Sequence, residues 1–374
     1  MELQDVPRST AALLKGKKMT TIFNGAAGSL HISEPEVFVD NRTRKRSGHM
    51  THALAEFEPG KIIAFNSNCS AYRCSGHSAF GWVDYRYSND YGQSWSEFHT
   101  LPYAQEEFFN GTYTVSVEKA VVCNGIITIF ALRNSQYSAI CCEPWATTMV
   151  LRSHNGGKTW SAPSELCPFP GRVYDAVVRD GVIYVLMFCN SNHVGTKPDD
   201  LYRLYCSYDC GETFRQESVV DIGTIGHSYG ALQFLPDGKL AAYTNNIHNG
   251  YLLSESVSSD LGKSWKRLPD VRLSEGIRNV QISALGESFV IHGRAYRDAP
   301  FGKGQVIYTS KDGLNWDDGI LLEPEKISCY YSNFLNFQTP SGEEKLLLQY
   351  SDLYNDPSVG KSAVNVMHRF LHLK

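Results

Sequence analysis

Six short apolar segments of the chain begin with polar side chains that could move protons and bind an anion. The candidates at these positions are His49, His52, Glu118, Asp175, His227, Tyr229, Arg278, Tyr330 and Tyr331. Four more, Arg133, His193, His248 and Arg294, end the apolar segments that follow. Imidazole, carboxyl and phenol groups serve as acids, bases or nucleophiles, and guanidinium groups bind carboxylates in a fork. The set predicts acid–base chemistry on an anionic substrate, although buried polar groups that bond one another are the structural alternative.

A repeated turn sequence indicates the elements that would bring these segments together. It reads SNDYGQSWS at 88–96, SHNGGKTWS at 153–161, SYDCGETF at 207–214, SSDLGKSW at 258–265 and TSKDGLNW at 309–316. The copies start 65, 54, 51 and 51 residues apart, and β-branched and aromatic runs lie between them. Glycine can adopt positive φ in such a turn, Asp or Asn can accept backbone N–H groups, and the closing aromatic residue can anchor neighbouring units. A period near fifty residues built of short strands predicts a propeller.

Counting the units gives an all-β, six-bladed β-propeller. Five blades carry the turn, and the runs YYSNFLNF, EKLLLQYS and AVNVMHRFLH supply three strands of the sixth. The early segment PEVFVD (35–40) is expected to close that blade as its fourth strand, which removes free sheet edges. We therefore predict an N-terminal extension over 1–30 and one propeller domain over 31–374. The polar starts of the six innermost strands should then meet around the axis.

The turn S-x-D-x-G-x-[TS]-[WF] is similar to the Asp-box of the sialidase superfamily, which this chain resembles over essentially its whole length. The resemblance implies a glycoside hydrolase and places the boxes away from the active site. The phrase VQISALGESFVIHGRA is similar to the segment that ends in the second carboxylate-binding arginine of the family, which Arg294 matches. YYSNFL resembles the segment of the nucleophile, so Tyr331, or else Tyr330, fits that role.

Other positions depart from the sialidase pattern. The family's first arginine corresponds to HMTHAL, which has His49, Met50 and His52 instead. Arg278 stands sixteen residues before Arg294, where a sialidase has its glutamate. The region of the third arginine offers Lys303, and the loop expected to bring the acid, SAYRCSGHSAFG, offers Arg73 and His77 but no carboxyl group. The resemblance therefore implies the scaffold with a changed catalytic set.

Three hypotheses about function follow. In the first, an exo-acting glycoside hydrolase releases an acidic sugar, sialic acid-like or a uronate. The carboxylate of that sugar is bound by the arginines Arg294, Arg278 and Arg133. Further contacts to the sugar come from His77, Tyr229 and Tyr330. Glu118 and Asp175 then divide the acid and base roles. In the second, a polysaccharide lyase acts on uronate glycans, with proton transfer by His52, His227 and Tyr331. The third is a glycan-binding propeller without catalysis.

Composition narrows the possible partners and location. The formal net charge of −4 removes a general attraction to nucleic acid, and the basic run NRTRKRSGH is expected to be a solvated loop. No apolar stretch is long enough to span a membrane, and the N-terminus lacks the order of a secretory signal. Ten irregularly spaced cysteines suggest free thiols in a reducing, cytoplasmic setting. We expect a glycan substrate and no cofactor; a metal site built from His49, His52 and His77 with Asp84 or Glu118 is a lesser alternative.

Overall fold

Antiparallel strands joined by short turns make up most of the computed structural model, which describes residues 19–50, 52–137, 143–296, 303–327 and 331–374. The chain starts with β1 (Met19–Gly25), β2 (Gly28–Ser33), β3 (Glu36–Val39) and helix α1 (Asn41–Arg44). Blade I follows with β4 (Arg46–Ser47), β5 (Leu54–Glu58), β6 (Lys61–Ser70), a 3-10 turn (Arg73–Gly76), β7 (Gly81–Ser88) and β8 (His99–Thr100). Helix α2 (Pro102–Phe109) leads to blade II.

Blades II to V each contain four strands in chain order. Blade II has β9 (Tyr113–Cys123), β10 (Ile126–Ser135), β11 (Thr147–Ser153) and β12 (Ser164–Pro170). Blade III has β13 (Arg172–Arg179), β14 (Val182–Cys189), β15 (Leu201–Ser207) and β16 (Arg215–Val219). Blade IV has β17 (His227–Phe234), β18 (Leu240–Asn246), β19 (Leu252–Ser258) and β20 (Lys266–Arg267). Blade V has β21 (Arg278–Leu285), β22 (Ser288–Arg294), β23 (Lys303–Ser310) and β24 (Ile320–Ile327).

Blade VI joins the two ends of the chain. It contains β25 (Ser332–Gln338), β26 (Glu344–Leu353) and β27 (Val364–Leu373). β27 pairs with β3 at one end and with β2 at the other, and β1 adds an outermost strand. The expectation that segment 35–40 closes this blade is therefore confirmed. β1 and much of β2 lie within the range 1–30 assigned above to an extension.

The six innermost strands, β5, β9, β13, β17, β21 and β25, contact one another in ring order, and β25 contacts β5. The predicted six-bladed propeller is thus confirmed. The core lies between blades, where large side chains of the middle strands, such as Phe65, Phe130 and Tyr243, are fully buried. Because each inner strand runs in the same direction through the ring, all six begin on one face, which we call the entry face.

The repeated turns share one hydrogen-bond pattern. In the first four, the serine hydroxyl accepts the glycine N–H at 2.7–2.8 Å. The fifth keeps this bond with Ser310 and Gly313 at 2.9 Å, so it begins one residue later than the sequence suggested and is one residue shorter. Each turn follows the third strand of its blade, so it lies on the face opposite the entry face.

The aromatic residue that closes each turn packs on the preceding blade. Trp160 of blade II lies 5.9 Å from Phe65 of blade I between ring centroids, and Phe214 of blade III lies 5.7 Å from Phe130 of blade II. Trp265 of blade IV donates its indole N–H to Ser218 of blade III at 2.9 Å. The turns therefore hold neighbouring blades together.

Trp160→Ala is expected to destabilise the protein by about 3 kcal/mol because it removes a large side chain from the interface of blades I and II. Calorimetry should show a fall in Tm, whereas the more conservative Trp160→Phe should restore most of it. Turnover per folded molecule should not change, since the turn is far from the entry face. A loss of turnover in well-folded Trp160→Ala protein would contradict this assignment.

A buried carboxyl group between blades IV and V predicts a pH-dependent stability. Glu255 is 2% exposed and accepts the indole N–H of Trp316 at 2.9 Å. Burial raises its pKa to about 8 from an ordinary value of 4.5, more than the Trp316 hydrogen bond lowers it. The folded protein therefore holds this proton more tightly than the unfolded chain does. The unfolding free energy falls as the pH rises between these two values.

Glu255→Gln should remove that loss while its amide oxygen still accepts the Trp316 N–H. We expect equal Tm values for variant and wild type at pH 5. At pH 8.5 the variant should gain about 4 kcal/mol, or roughly 5 °C in Tm. Differential scanning calorimetry at the two pH values tests this. A variant less stable than the wild type at pH 8.5 would show that the charged form of Glu255 is stabilising.

Three expectations drawn from the composition, on the basic run, the cysteines and membrane-spanning segments, can be compared with the structure. The basic run is largely paired: Arg44 binds Asp84 at 2.8 Å and Arg46 donates to Asn68 at 2.5 Å. Cys74 is disulfide-bonded, which corrects the expectation of free thiols throughout, whereas six other described cysteines are free. In the described part of the chain, no helix is long and apolar enough to cross a membrane.

Candidate functional site

A bulge near the start of four consecutive inner strands aims side chains into the centre of the entry face. The pairing register slips between Val117 and Lys119 in β9, Val173 and Asp175 in β13, Ser228 and Ala231 in β17, and Arg278 and Gln281 in β21. Each slip lets at least one residue bulge out of the ladder, and bulges commonly re-aim side chains beside functional sites. The bulged positions include Glu118, Tyr174, Tyr229 and Asn279.

These four side chains line one pocket together with residues of β13, β21 and β25. The pocket contains about 330 Å3 of space not filled by atoms, part of it open to solvent. Its lining residues are Glu118, Arg172, Tyr174, Tyr229, Asn279, Gln281, Tyr331, Ser332 and Asn333. Tyr229 and Asn279 adopt φ angles of 56° and 60°, which are unusual for side chains of their size. Such local strain is found where a fold fixes functional groups.

At the base of the pocket, Arg172 is surrounded by one carboxylate and four aromatic rings. Its Nε donates to Glu118 Oε2 at 2.7 Å, and both side chains are almost fully buried. Four rings lie within 6 Å of its guanidinium carbon, those of Trp145, Tyr174, Tyr229 and Tyr331. Burial acts against the guanidinium charge, but Glu118 and the nearby phenols more than offset it and raise the pKa of Arg172. Arg172 therefore stays charged beneath the rings.

Two phenol groups face each other across the pocket. The hydroxyls of Tyr229 and Tyr331 lie 3.1 Å apart, at hydrogen-bond distance. The ring of Tyr331 also packs edge-on against His49, with 5.0 Å between centroids. Because Tyr331 is partly exposed, its hydroxyl can reach a molecule bound in the opening.

Arg278 and Arg294 lie directly opposite each other on β21 and β22. Arg278 lies over the rings of Tyr229 and Tyr296 at 5.7 Å and makes one long hydrogen bond, 3.5 Å to the hydroxyl of Tyr296. Its Nε has no hydrogen-bond partner, and it forms no ion pair with any residue that the structure describes. Beside it the Asn279 amide is 3% exposed, and neither its oxygen nor its nitrogen is hydrogen-bonded. The Arg278 Nε–H and the Asn279 amide N–H2, which lack partners among the described residues, are groups that can donate hydrogen bonds to an anion.

Two imidazoles, His49 and His77, pack together beside Tyr331, next to the residues that line the pocket. The rings of His49 and His77 lie 3.7 Å apart between centroids. His49 is fully buried, and burial lowers its pKa well below the ordinary 6.5, helped by His77 and Arg294. Desolvation, together with Arg294 and other cationic neighbours, lowers the pKa of His77 to about 4. Both rings are therefore uncharged at neutral pH.

Glu143 and His193 meet at the rim of the same opening. His193 Nδ1 lies 2.5 Å from Glu143 Oε1, which also accepts the backbone N–H of His193 at 3.0 Å. Burial of the Glu143 carboxyl opposes ionisation, but its bonds to His193 and the charge of Arg172 lower its pKa overall. The His193 ring lies 6.4 Å from the ring of Tyr229.

Several residues predicted from the sequence lie elsewhere. Asp175 accepts the backbone N–H groups of Ala176 and Leu232 and pairs with Lys119 at 2.7 Å, so its carboxylate is fully engaged behind the wall. His227 lies next to Ile225 O and Ser254 Oγ at 3.2 and 3.1 Å, and burial lowers its pKa. Arg133 is bound by Thr147 and Glu165 within blade II.

The remaining predicted positions differ in their placement. His52 is 1% exposed, does not line the pocket, and has a pKa lowered to about 3 by burial. Tyr330 falls outside the described residues. No group of three side chains suited to hold a metal ion occurs among the described residues, so the histidine site considered above does not assemble there.

Sequence reasoning missed Arg172, Tyr174, Asn279, Gln281 and Glu143. Arg172 and Tyr174 stand in RVYDAVVRD, one of the segments already singled out, but Asp175 was chosen there. In a regular strand the side chains of Tyr174 and Asp175 would point to opposite faces of the sheet. The bulge at Tyr174 changes which of the two faces the axis. Glu143 follows no apolar segment and carried no signal in the sequence.

Comparison with known proteins finds solved structures with a similar fold, and it does not identify the residues of the site. No protein-family model and no curated protein matches the chain. A crystal structure of a protein of unknown function from Dyadobacter fermentans is similar with a TM-score of 0.71 and 14% identity, covering 92% of this chain and 99% of that one. NanB sialidase from Streptococcus pneumoniae, as its K499G mutant, follows at 0.63 and 12%, covering 90% and 70%. Trypanosoma rangeli sialidase in complex with sialic acid gives 0.60 and 16%, covering 96% and 58%. The predicted sialidase-like propeller is thus confirmed.

Proposed function

We propose that the protein is a glycoside hydrolase that binds the carboxylate of an acidic sugar in the pocket of the entry face. The observation that carries the proposal is Arg278, a half-buried guanidinium with no ion-pair partner among the described residues, next to the unpaired amide of Asn279. A sugar carboxylate supplies the missing acceptors. Sialic acid, with which the Trypanosoma rangeli sialidase is in complex, and uronates have this group.

Arg294 adds a second cation to the proposed carboxylate site. It faces Arg278 across the strands β21 and β22, and its guanidinium carbon lies 5.6 Å from the ring of Tyr296. Two forks side by side match a planar carboxylate better than one lysine would. Tyr229 and His77 line the space beside this position and serve as further contacts to the sugar.

Tyr331 is the proposed nucleophile. Its hydroxyl projects into the pocket next to that of Tyr229, and the charge of Arg172 beneath the ring stabilises a developing phenolate. Glu118 is the acidic side chain among the lining residues, and it accepts the phenol proton. The phenol oxygen then bonds to the anomeric carbon as the glycosidic bond breaks, and the leaving oxygen takes a proton from a general acid. Water later attacks the anomeric carbon and gives one proton to that group, while Glu118 returns the phenol proton to Tyr331. Asp175 takes no part because Lys119 and two N–H groups engage it.

A lyase acting on uronate glycans is the second candidate, and the neutral pair His49 and His77 favours it. Lyase chemistry needs a base to remove the proton at C5 and cations or amides to neutralise the carboxylate. An uncharged imidazole beside Tyr331 and a guanidinium beside Asn279 supply both. In this route the carboxylate would again lie against Arg278.

Product analysis separates the two reactions. The protein is incubated with sialylated and uronate-containing oligosaccharides, and products are followed by mass spectrometry and absorbance at 235 nm. A free acidic sugar that has gained the mass of water, without absorbance, supports the hydrolase. An absorbing unsaturated product supports the lyase instead. Binding without any product from either glycan class would leave a glycan-binding propeller and contradict both proposals.

A further inference from the structure

We infer that Glu143 and His193 form a proton-transfer pair, in which His193 Nε2 donates a proton to the leaving-group oxygen and Glu143 orients the imidazole. This inference rests on the proposed hydrolase and adds the acid that the reaction needs. Neither residue belongs to the Asp-box pattern or to the carboxylate site described above.

The geometry of the pair fixes which nitrogen can act. Glu143 Oε1 accepts both the backbone N–H and the Nδ1 side of His193, at 3.0 and 2.5 Å. With Nδ1–H held by an anionic carboxylate, Nε2 on the far edge of the ring is the site that gains and loses a proton. The His193 side chain is 37% exposed, so this edge is open to solvent and to a substrate. Glu143 itself is 13% exposed and is held in place.

Glu143 and His193 lie close to residues that line the pocket. Tyr174 donates its hydroxyl to the backbone carbonyl of His193 at 3.4 Å, which ties the rim to a lining residue of the pocket. The His193 ring faces Tyr229, whose hydroxyl touches that of Tyr331. In the inferred complex, a sugar with its anomeric carbon at Tyr331 has its leaving group on the side of Tyr229 and His193.

The charged groups around the pair come from three elements. Arg172 of β13 acts on Glu143, and His77 of the loop after β6 acts on both members. Arg278 and Arg294 of blade V act on His77 and lie on the opposite wall. Glu143 is thus an anion whose neighbours Arg172, His193 and His77 are cationic or basic. It can hold a protonated imidazole where other cations would otherwise repel it.

The proton balance of the step is simple. The bond between the anomeric carbon and the leaving oxygen breaks, and that oxygen takes the proton from His193 Nε2. In the second half of the reaction, the attacking water gives one proton back to Nε2 while its oxygen bonds to the anomeric carbon. General acid help of this kind contributes about 10²- to 10⁴-fold, and most when the leaving group is poor.

The test compares two substrates that differ in the leaving group. Wild type, His193→Ala and Glu143→Gln are assayed with a natural oligosaccharide and with the 4-nitrophenyl glycoside of the same acidic sugar, whose leaving group needs no proton. His193→Ala should lose about 10²-fold or more on the oligosaccharide and less than about 5-fold on the nitrophenyl glycoside. Glu143→Gln should show a smaller loss of activity, which is again larger on the oligosaccharide than on the nitrophenyl glycoside. The basic limb of its pH–rate profile should shift to lower pH.

The test includes a control variant, and the failure of the inference can be distinguished from the failure of the proposed function. His154→Ala, an exposed histidine in the repeated turn of blade II on the opposite face, should keep both activities, and His193→Asn serves where the alanine variant folds poorly. Equal losses on the two substrates, in protein with an unchanged Tm, would overturn the role of the pair while leaving the hydrolase intact. A wild type that hydrolyses neither substrate would overturn the proposed function, and the inference with it.

Discussion

Tyr331→Phe is expected to abolish hydrolysis of acidic glycosides, with a loss of more than about 10³-fold in kcat. The change removes the hydroxyl that faces the pocket and keeps the ring that packs on His49. One hydrogen bond to Tyr229 is lost, so the unfolding free energy should fall by about 1 kcal/mol at most. Steady-state kinetics and a melting curve on the same preparation measure both effects.

Tyr208→Phe is the matched control for this prediction. Tyr208 is 54% exposed and belongs to the repeated turn of blade III, on the face opposite the pocket. It should retain wild-type kcat. If Tyr331→Phe kept a substantial part of its activity, the nucleophile would have to be another group, and the lyase route with a histidine base would gain support.

Arg278→Lys is expected to lower kcat/KM for an acidic glycoside by about 10²-fold, because a point charge replaces a planar fork. The carboxylate binds in both the ground state and the transition state, so a large share of the loss should appear as a raised KM. Activity on a substrate whose carboxylate is converted to an amide should be low in wild type and hardly change in the variant.

Arg133→Lys provides the control for Arg278. Its guanidinium is bound by Thr147 and Glu165 at 2.7 and 3.2 Å within blade II, away from the pocket lining. We expect kcat/KM within about two-fold of wild type. Equal losses in Arg133→Lys and Arg278→Lys would indicate a general effect on the fold and would remove Arg278 from the substrate site.

The fold could be predicted from the sequence because its signals are local and repeated. Each turn has its serine, glycine and aromatic residue at fixed spacing, and the structure gives each of them the same partners. Closure of blade VI followed from the general cost of a free strand edge. The start of the fifth turn was misplaced by one residue, because Thr309 and Ser310 are adjacent and both could accept the glycine N–H.

The site could be predicted only in part, because bulges decide which residue at each strand start faces the axis. Tyr229, Arg278 and Tyr331 were found from their position at strand starts. Asp175 lies in a similar position, but it follows the bulged Tyr174 and turns toward Lys119 behind the wall. A slip of one residue reverses the direction of a side chain, and the sequence contains no marker for it.

Long-range pairing also hid the electrostatics of the site. Arg278 forms no ion pair with a described residue, and Glu118 is bound by Arg172, which lies 54 residues further along the chain. In the same way, Glu143 meets His193 from a segment 50 residues earlier. These pairs join different blades or loops, so no spacing in the sequence could reveal them.

The most direct test of the account is the binding of free acidic monosaccharides, because it does not depend on which reaction follows. Isothermal titration measures the affinity of wild type and Arg278→Met for N-acetylneuraminic acid and glucuronic acid, each compared with its carboxamide. We predict that one acid binds wild type about ten-fold or more tighter than its amide, and that Arg278→Met removes this preference. Equal affinity of acid and amide for wild type, or a preference unchanged in Arg278→Met, would contradict the carboxylate site.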